Sequence, residues 1–209
     1  MKPSKKFIKA DACKWLFKNK GLGAVITSPP DAEEINKSID DWRNWFLMAV
    51  ELCFNATKKD TPTIFYVTDR KHNNELISKT NLIFQGANNL NRKLMFHKIA
   101  LRKPVNSIEL HRPSYSHLLA FNNINKAYPT TIQGADVFER GKVLYNNGMG
   151  LSAAILSVKY AGLFTDTIVN PFSGQGTICT IAETYGLNSI GIELLDEQIE
   201  KSKGITISK

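Results

Sequence analysis

The chain of 209 residues is 43% hydrophobic and 22% charged, which is the composition of an ordinary globular protein. This length favours a single domain, and the lack of any apolar run long enough to span a bilayer argues against a membrane protein. The net charge of +8 fits a polyanionic partner, but a solvated basic surface explains it equally well.

The cysteines and the N-terminus point to an intracellular protein. Cys13, Cys53 and Cys179 are well separated, which fits reduced thiols better than a disulfide framework. The four histidines do not join them at metal-ligand spacing, so we expect no metal site. The segment "MKPSKKFIKADACKWL" lacks a signal-peptide core. We therefore expect a cytoplasmic protein, with the nucleus or an organelle left open.

Strand-like and helix-like segments alternate along the first part of the chain. A helix is predicted from apolar residues at helical spacing after acidic residues, and strands from β-branched and aromatic runs. In chain order these are strand "AVIT", helix "DDWRNWFLMAVELCFNAT", strand "TPTIFYVTD", helix "NELISKTNLIFQG" closed by Gly86, and strands "KLMFHKIAL" and "SHLLAF".

The alternation continues to the end of the chain. The predicted elements are helix "MGLSAAILSVKYAGL", strand "DTIVNPF", helix "TICTIAETYG", strand "SIGIEL" and helix "DEQIEKSK". Such alternation is typical of an α/β fold with a doubly wound, mostly parallel sheet. The two adjacent strands in the middle of the chain predict one antiparallel strand pair within it.

A glycine loop stands between two of the later strands. The strand that ends at Asn170-Pro171-Phe172 leads into a loop with Gly174 and Gly176. A helix begins near Thr177, and the next strand ends in Glu193. Glycines at such a turn let the backbone approach a ligand, and the helix offers free N–H groups. An acidic residue at the end of the second strand is where a ribose is held.

The strand "AVIT" runs into Ser28, Pro29 and Pro30, followed by Asp31. Taken alone, two prolines after a strand are explained as a strand terminator. Together with the glycine loop, a functional interpretation is favoured.

These two segments resemble the motifs of the amino-group nucleic-acid methyltransferases that use S-adenosyl-L-methionine (N6-adenine and N4-cytosine type). "NPFSGQGT" followed by "GIE" resembles their D-P-F-x-G-x-G-T cofactor motif, and "SPPD" resembles their catalytic [DNS]-P-P-[YFW] motif. The catalytic motif comes first, which is the circularly permuted order of the β class. The resemblance implies one Rossmann-like methyltransferase domain over residues 1–209, with a catalytic half (1–140) and a cofactor-binding half (141–209).

The resemblance also implies S-adenosyl-L-methionine as cofactor. Glu193 would bind its ribose hydroxyls, and Asp11 in "FIKADACKWL" would contact its adenine, although Ala10 replaces the usual glycine. Asn170 stands where the family has Asp. The remaining residues implied to line the cofactor come from "NPFSGQGT" and from "YNNGMGLSAAI": Phe172, Gly174, Gly176, Thr177, Gly148 and Gly150.

The chemistry gives the Ser28 segment a purpose. The lone pair of an exocyclic amine is delocalised into its ring, so the amine is a poor nucleophile. The Ser28 oxygen and the Pro29 carbonyl can accept its two N–H bonds and direct the lone pair towards the methyl group, while Pro30 adds stiffness.

Asp31 departs from the family pattern, which has an aromatic residue that stacks on the flipped base. Three interpretations stay open. Asp31 is a base or hydrogen-bond acceptor for the target; or an aromatic residue such as Trp42, Tyr66 or Tyr115 stacks from elsewhere; or the site is degenerate. Trp42 has the spacing of a core residue.

The segment "HKIALRKPVNSIELHRPSYSHLLAF" is basic and aromatic, and we expect Arg112, Tyr115 and His117 to contact substrate. Surface charge and sheet packing explain each of them equally well. The interval between the two motifs is filled by the core itself, with no separate reading module. This favours a structured RNA such as tRNA over DNA, or a target presented by a protein partner. The alternatives are a protein or small-molecule methyltransferase and a non-catalytic methyltransferase-like subunit.

Overall fold

The computed structural model describes residues 2–122 and 134–205. Its strands are β1 (Lys5–Lys9), β2 (Ala24–Thr27), β3 (Thr63–Val67), β4 (Arg70–His72), β5 (Glu75–Ile77), β6 (Lys93–Leu101), β7 (Tyr115–Asn122), β8 (Val137–Glu139), β9 (Thr167–Pro171) and β10 (Asn188–Glu193). Its α-helices are α1 (Ala12–Lys18), α2 (Ile39–Ala56), α3 (Lys79–Asn89), α4 (Leu151–Ala161), α5 (Thr177–Thr184) and α6 (Asp196–Lys203).

Eight of the described strands form one sheet in the order β1-β10-β9-β2-β3-β7-β6-β8, and β4 pairs with β5 in a separate hairpin. The pairs β1–β10, β10–β9, β9–β2, β2–β3 and β6–β8 are parallel. Strand β7 runs antiparallel to both β3 and β6. The predicted α/β architecture, a mostly parallel sheet with antiparallel pairing in the middle of the chain, is confirmed.

The central strands are buried on both faces. Val25 and Ile26 are both fully buried, yet they belong to different hydrophobic clusters, because successive side chains of a strand point to opposite faces. Val25 packs in the cluster that contains Phe46 of α2, and Ile26 in the one that contains Val158 of α4. This explains why β2 reads as a continuous apolar run rather than an alternating one.

Helix α2 begins and ends within one residue of the prediction. Its N-cap is Ser38, whose hydroxyl accepts the Asp41 N–H at 3.2 Å, and Asp40 and Asp41 place negative charge in the first turn. Within residues 2–122 and 134–205, no helix is both long enough and apolar enough to cross a membrane.

The helix predicted over "NELISKTNLIFQG" is wrong in its first half and at its end. Glu75–Ile77 is the second strand of the β4–β5 hairpin, and α3 starts only after Ser78, which caps Asn81 N–H at 3.2 Å. Gly86 lies inside α3 rather than closing it. A Cβ at Gly86 would lie 2.8 Å from Val50 Cγ1, so the glycine serves close packing of α3 on α2. The short elements β1, α1 and β8 were not predicted.

The carboxyl ends of β1, β10, β9, β2 and β3 all lie at one edge of the sheet, because these strands are parallel neighbours. In open α/β sheets this edge is where ligands bind. Both resembled motifs follow strands that end there.

Candidate active site

A cavity of about 920 Å³ opens at this edge of the sheet. It brings together twelve of the sixteen residues that the sequence predicts for the site. These are Asp11, Ser28, Pro29, Pro30, Asp31, Arg112, Gly148, Asn170, Phe172, Gly174, Thr177 and Glu193. Residues separated by up to 182 positions thus share one concave surface, which is the arrangement expected of a binding site.

Gly176 and Gly150 do not line the cavity. Close packing against neighbouring residues explains why each of these positions is a glycine. Gly176 has φ of 78°, and a Cβ there would lie 2.6 Å from Phe7 Cζ. A Cβ at Gly150 would lie 2.2 Å from the Arg140 carbonyl oxygen. Their contact with a cofactor stays a prediction without support from this geometry.

Tyr115 and His117 also lie outside the cavity lining. His117 is buried, with Nδ1 2.9 Å from His97 Nε2 and Nε2 3.4 Å from Asp69 Oδ2. Tyr115 packs edge-on against the His117 ring, with the two ring centroids 5.2 Å apart. The geometry favours the packing interpretation for both residues.

Asp69 ties this histidine pair to the start of α3. Its Oδ1 accepts the Lys79 N–H at 2.9 Å and the Thr80 N–H at 3.4 Å. Burial alone would raise the pKa of the Asp69 carboxyl, but the nearby His117 ring and these N–H groups outweigh burial and lower that pKa. The network fixes the helix start that carries the Lys79 side chain into the cavity wall.

The segment from Thr27 to Pro30 is fixed by a hydrogen bond at each end, while two acceptor groups between these ends have no partner among the residues that the structure describes. Thr27 Oγ1 donates to the Pro171 carbonyl of β9, and Trp42 Nε1 donates to the Pro30 carbonyl at 3.0 Å. The Ser28 hydroxyl and the Pro29 carbonyl receive no hydrogen bond from any described residue. Both groups are therefore available to accept N–H bonds from a ligand in the cavity.

Asp31 is buried and surrounded by cations. Its Oδ1 accepts from Lys79 Nζ, its Oδ2 accepts from an Arg112 amino group at 2.7 Å, and Arg70 Nη1 lies 3.8 Å from Oδ2. The side chains of Asp31 and Lys79 are only 7% and 6% exposed. The Asp31 N–H donates to Glu34 Oε2 at 2.7 Å. Both carboxylate oxygens thus hold cationic side chains in place.

The Glu193 carboxylate at the end of β10 accepts one N–H group of the glycine loop and two from the residues after β10. Glu193 Oε2 accepts the Gly174 N–H at 2.8 Å, and Oε1 accepts those of Leu194 at 2.8 Å and Leu195 at 3.0 Å. Gly174 has φ of 51°, a left-handed conformation that glycine adopts without cost. The carboxylate is thereby fixed at the cavity surface in one orientation.

Asn170 supplies a second acceptor beside this loop. It is 4% exposed, and its Oδ1 has no hydrogen-bond partner among the described residues. An unpartnered buried acceptor costs free energy unless a ligand completes it. A fixed carboxylate, an open amide oxygen and a glycine turn together fit a nucleoside-type cofactor with ribose hydroxyls.

Several cavity residues were missed from the sequence. They are Trp45, Arg102, Arg140 and Tyr145. Trp45 meets Phe172 edge-on, with ring centroids 5.7 Å apart. Burial raises the pKa of the Tyr145 hydroxyl.

The three aromatic residues considered for stacking on the target base differ in their positions relative to the cavity. Of Trp42, Tyr66 and Tyr115, only Tyr66 lines the cavity. Trp42 is 2% exposed in the core, in agreement with its helical spacing.

Comparison with solved structures identifies the fold. TTHA0409 from Thermus thermophilus, assigned as a DNA modification methylase and complexed with S-adenosyl-L-methionine, matches with a TM-score of 0.72 and 16% identity, over 95% of this chain and 91% of that chain. The cytosine-N4-specific PvuII DNA methyltransferase matches with a TM-score of 0.76 and 13% identity, over 96% of this chain and 86% of that chain. The M1.HpyAVI-SAM complex matches with a TM-score of 0.68 and 15% identity, over 95% of this chain and 97% of that chain.

The chain therefore has the Rossmann-like methyltransferase fold, as the motifs implied. No protein-family model and no curated protein sequence matches it.

Proposed function

We propose that this chain is an S-adenosyl-L-methionine-dependent methyltransferase that acts on an exocyclic amino group of a base in a nucleic acid. One observation carries the proposal: the unpartnered acceptors of Ser28 and Pro29 and the fixed carboxylate of Glu193 line the same cavity. The fold shared with structures named as DNA methylases supports it.

The cofactor would be held by the half of the cavity around the glycine loop. Glu193 offers its carboxylate to ribose hydroxyls, Asn170 offers Oδ1, and Asp11 lines the same wall. When bound, S-adenosyl-L-methionine supplies an electrophilic methyl group. The loop N–H bonds keep Glu193 oriented before any ligand arrives, which lowers the entropy cost of binding.

The substrate amine would be held by Ser28 and Pro29. Two acceptors on one rigid segment bind its two N–H bonds and orient the nitrogen lone pair. The bonds from Thr27 to Pro171 and from Trp42 to Pro30 keep this segment in place. Ser28, Pro29 and Pro30 thus form the catalytic platform of the proposal.

Asp31 is proposed as a positioning residue. Its carboxylate is engaged by Lys79 and Arg112, so the geometry supports neither a general base nor a stacking group at this position. Of the three aromatic residues considered for stacking on the base, Tyr66 is the one that lines the cavity.

One domain, residues 1–209, is proposed, with a catalytic half (1–140) and a cofactor-binding half (141–209). Support comes from β1, which belongs to the first half by sequence but pairs with β10 of the second, from Lys5 opposite Ser189 to Lys9 opposite Glu193.

Either DNA or RNA fits the compact chain. The preference for RNA that the sequence suggested depended on the lack of a separate reading module. TTHA0409, assigned as a DNA modification methylase, is matched over 91% of its length, so compactness does not separate the two substrates. We propose DNA as the first substrate to test, and a structured RNA as the second.

Two experiments test the proposal. Calorimetry measures binding of S-adenosyl-L-methionine, and a second assay follows transfer of a tritiated methyl group to genomic DNA, total RNA and a protein extract. We expect cofactor binding and label in a nucleic acid. Label in protein alone would contradict a nucleic-acid substrate. An intact fold without cofactor binding would indicate a non-catalytic subunit.

A further inference from the structure

Three arginine residues line the cavity at the edge of the sheet that carries Ser28. Arg102 follows β6, Arg112 precedes β7 and Arg140 follows β8, and all three line the cavity. Because β7 is antiparallel to β3 and β6 while β8 is parallel to β6, these positions lie together at the carboxyl edge of β3. They belong to the part of the sheet on the far side of β2 from β9 and β10.

Main-chain bonds hold two of these arginines without any ligand. The Arg102 N–H donates to the Ser114 carbonyl at 2.7 Å, and its guanidinium donates to the Pro113 carbonyl at 3.0 Å. The Arg140 N–H donates to the Leu101 carbonyl at 3.0 Å. The cluster is thus built into the β6, β7 and β8 connections.

The positive charge of this cluster is incompletely neutralised. Arg112 pairs with Asp31, but no carboxylate of residues 2–122 or 134–205 lies within ion-pairing distance of Arg102 or Arg140. Burial, followed by repulsion from Arg140 and Arg112, lowers the pKa of the Arg102 guanidinium. Like charges gathered in a partly buried site favour an anionic ligand.

A buried hydroxyl adds a hydrogen-bond donor to the same wall. Tyr66 lines the cavity and is 5% exposed, and its hydroxyl has no hydrogen-bond partner among the described residues. The nearby acid Glu34 also lines the cavity but accepts the Asp31 N–H and an Asn147 N–H. The wall therefore offers mainly donors to a ligand.

We propose that Arg102, Arg112, Arg140 and Tyr66 bind one phosphate group of the substrate nucleic acid, beside the nucleotide whose base is placed at Ser28. This inference rests on the proposed function. Guanidinium groups bind phosphate oxygens through paired N–H bonds. A nucleotide extruded towards Ser28 brings its own phosphates to the cavity, and a phosphate supplies a negative partner for Arg102 and Arg140.

The test compares two double variants that each remove two positive charges. The first double variant, Arg102→Gln with Arg140→Gln, removes charge from the cavity wall. The control, Lys103→Gln with Lys142→Gln, removes the same charge from exposed residues that do not line the cavity. Binding of fluorescein-labelled mixed-sequence DNA and RNA oligonucleotides is measured by anisotropy across a salt series. We expect the arginine variant to lose about tenfold or more in affinity and about one unit of salt slope. The lysine variant should stay within about twofold of wild type.

Tyr66→Phe provides a change that keeps the ring and the core packing. It should weaken oligonucleotide binding by about threefold or more, with an unchanged melting temperature. A nucleoside monophosphate is titrated in parallel to separate a free nucleotide from a polymer. A polymer site predicts that the monophosphate binds more weakly than the oligonucleotide.

The outcomes separate this inference from the proposed function. Two results would overturn the phosphate site. One is an equal loss of oligonucleotide affinity in the two double variants, and the other is tight binding of the monophosphate without oligonucleotide binding. Failure of wild type to bind S-adenosyl-L-methionine would contradict the proposed function while leaving the oligonucleotide comparison interpretable. We expect calorimetry to give the same cofactor affinity for wild type and all three variants.

Discussion

An Arg112 amino group donates to Asp31 Oδ2 at 2.7 Å, which joins the residue after the two prolines to a side chain 81 positions away. Asp31 Oδ1 is bound by Lys79. The acidic residue that replaces an aromatic one in the resembled motif therefore organises cations at the cavity wall. The sequence left three interpretations of Asp31 open, and none of them is this one: we propose that Asp31 supports substrate binding by positioning these cations.

Replacement of Asp31 by Asn tests that role. We expect the KM for nucleic acid to rise by about tenfold with kcat within about threefold, because Arg112 loses its anchor while the Ser28 platform stays intact. The buried Lys79 also loses its anion, so the free energy of unfolding falls by about 3 kcal/mol. Assays are run well below the melting temperature. A general base would instead lose about 10²–10⁴ in kcat at unchanged KM.

Replacement of Ser28 by Ala removes one acceptor from the proposed platform. Turnover is expected to fall by about tenfold to hundredfold, because the amine loses a hydrogen bond that orients it. Affinity for S-adenosyl-L-methionine, measured by calorimetry, should remain within about twofold. Ser38→Ala, at the N-cap of α2, provides a serine control that affects stability rather than turnover. Equal losses in turnover and cofactor affinity would show that Ser28 is structural.

Replacement of Glu193 by Gln addresses the cofactor side. The charge that would bind ribose hydroxyls is lost, and the three N–H bonds from Gly174, Leu194 and Leu195 weaken. We expect cofactor affinity to fall by about tenfold to hundredfold. The control is Glu197→Gln, on the exposed first turn of α6, which should bind cofactor as wild type does. Undiminished affinity in the Glu193 variant would place the ribose elsewhere.

The histidine pair gives the fold a pH dependence. Burial, followed by the charge of His117, lowers the pKa of His97 below its ordinary value of 6.5. Below pH about 6.5 the unfolded chain therefore binds a proton that the folded protein resists, so stability falls as pH drops towards the folded pKa. Urea midpoints should decrease from pH about 7.5 to pH about 5.5, and His97→Gln should reduce that decrease. An unchanged pH dependence in the variant would assign it to other groups.

The features that the sequence predicted are those that are local in the chain. The strand, loop and helix around Gly174, and the platform from Ser28 to Pro30, lie on short contiguous segments. Their turn chemistry can be recognised from single residues. Their convergence follows from the parallel order of β2, β9 and β10.

The features that were missed depend on long-range pairing. Lys79 reaches Asp31 from 48 positions away, and Arg102 meets Arg140 only because β6 pairs with β8. The sequence predicts a helix end at Gly86 because it does not show that Val50 packs against this glycine. Glycine at a helix crossing and glycine at a helix end look the same in one sequence.

Nucleoside mass spectrometry shows directly which atom of a base receives the methyl group. DNA and RNA are incubated with S-adenosyl-L-methionine carrying a deuterated methyl group, and with either wild type or the Ser28→Ala variant. We expect a labelled nucleoside methylated at an exocyclic amine, N6 of adenine or N4 of cytosine, whose formation slows sharply in the variant. Label on a ring carbon, or equal labelling by both proteins, would contradict amine activation at Ser28.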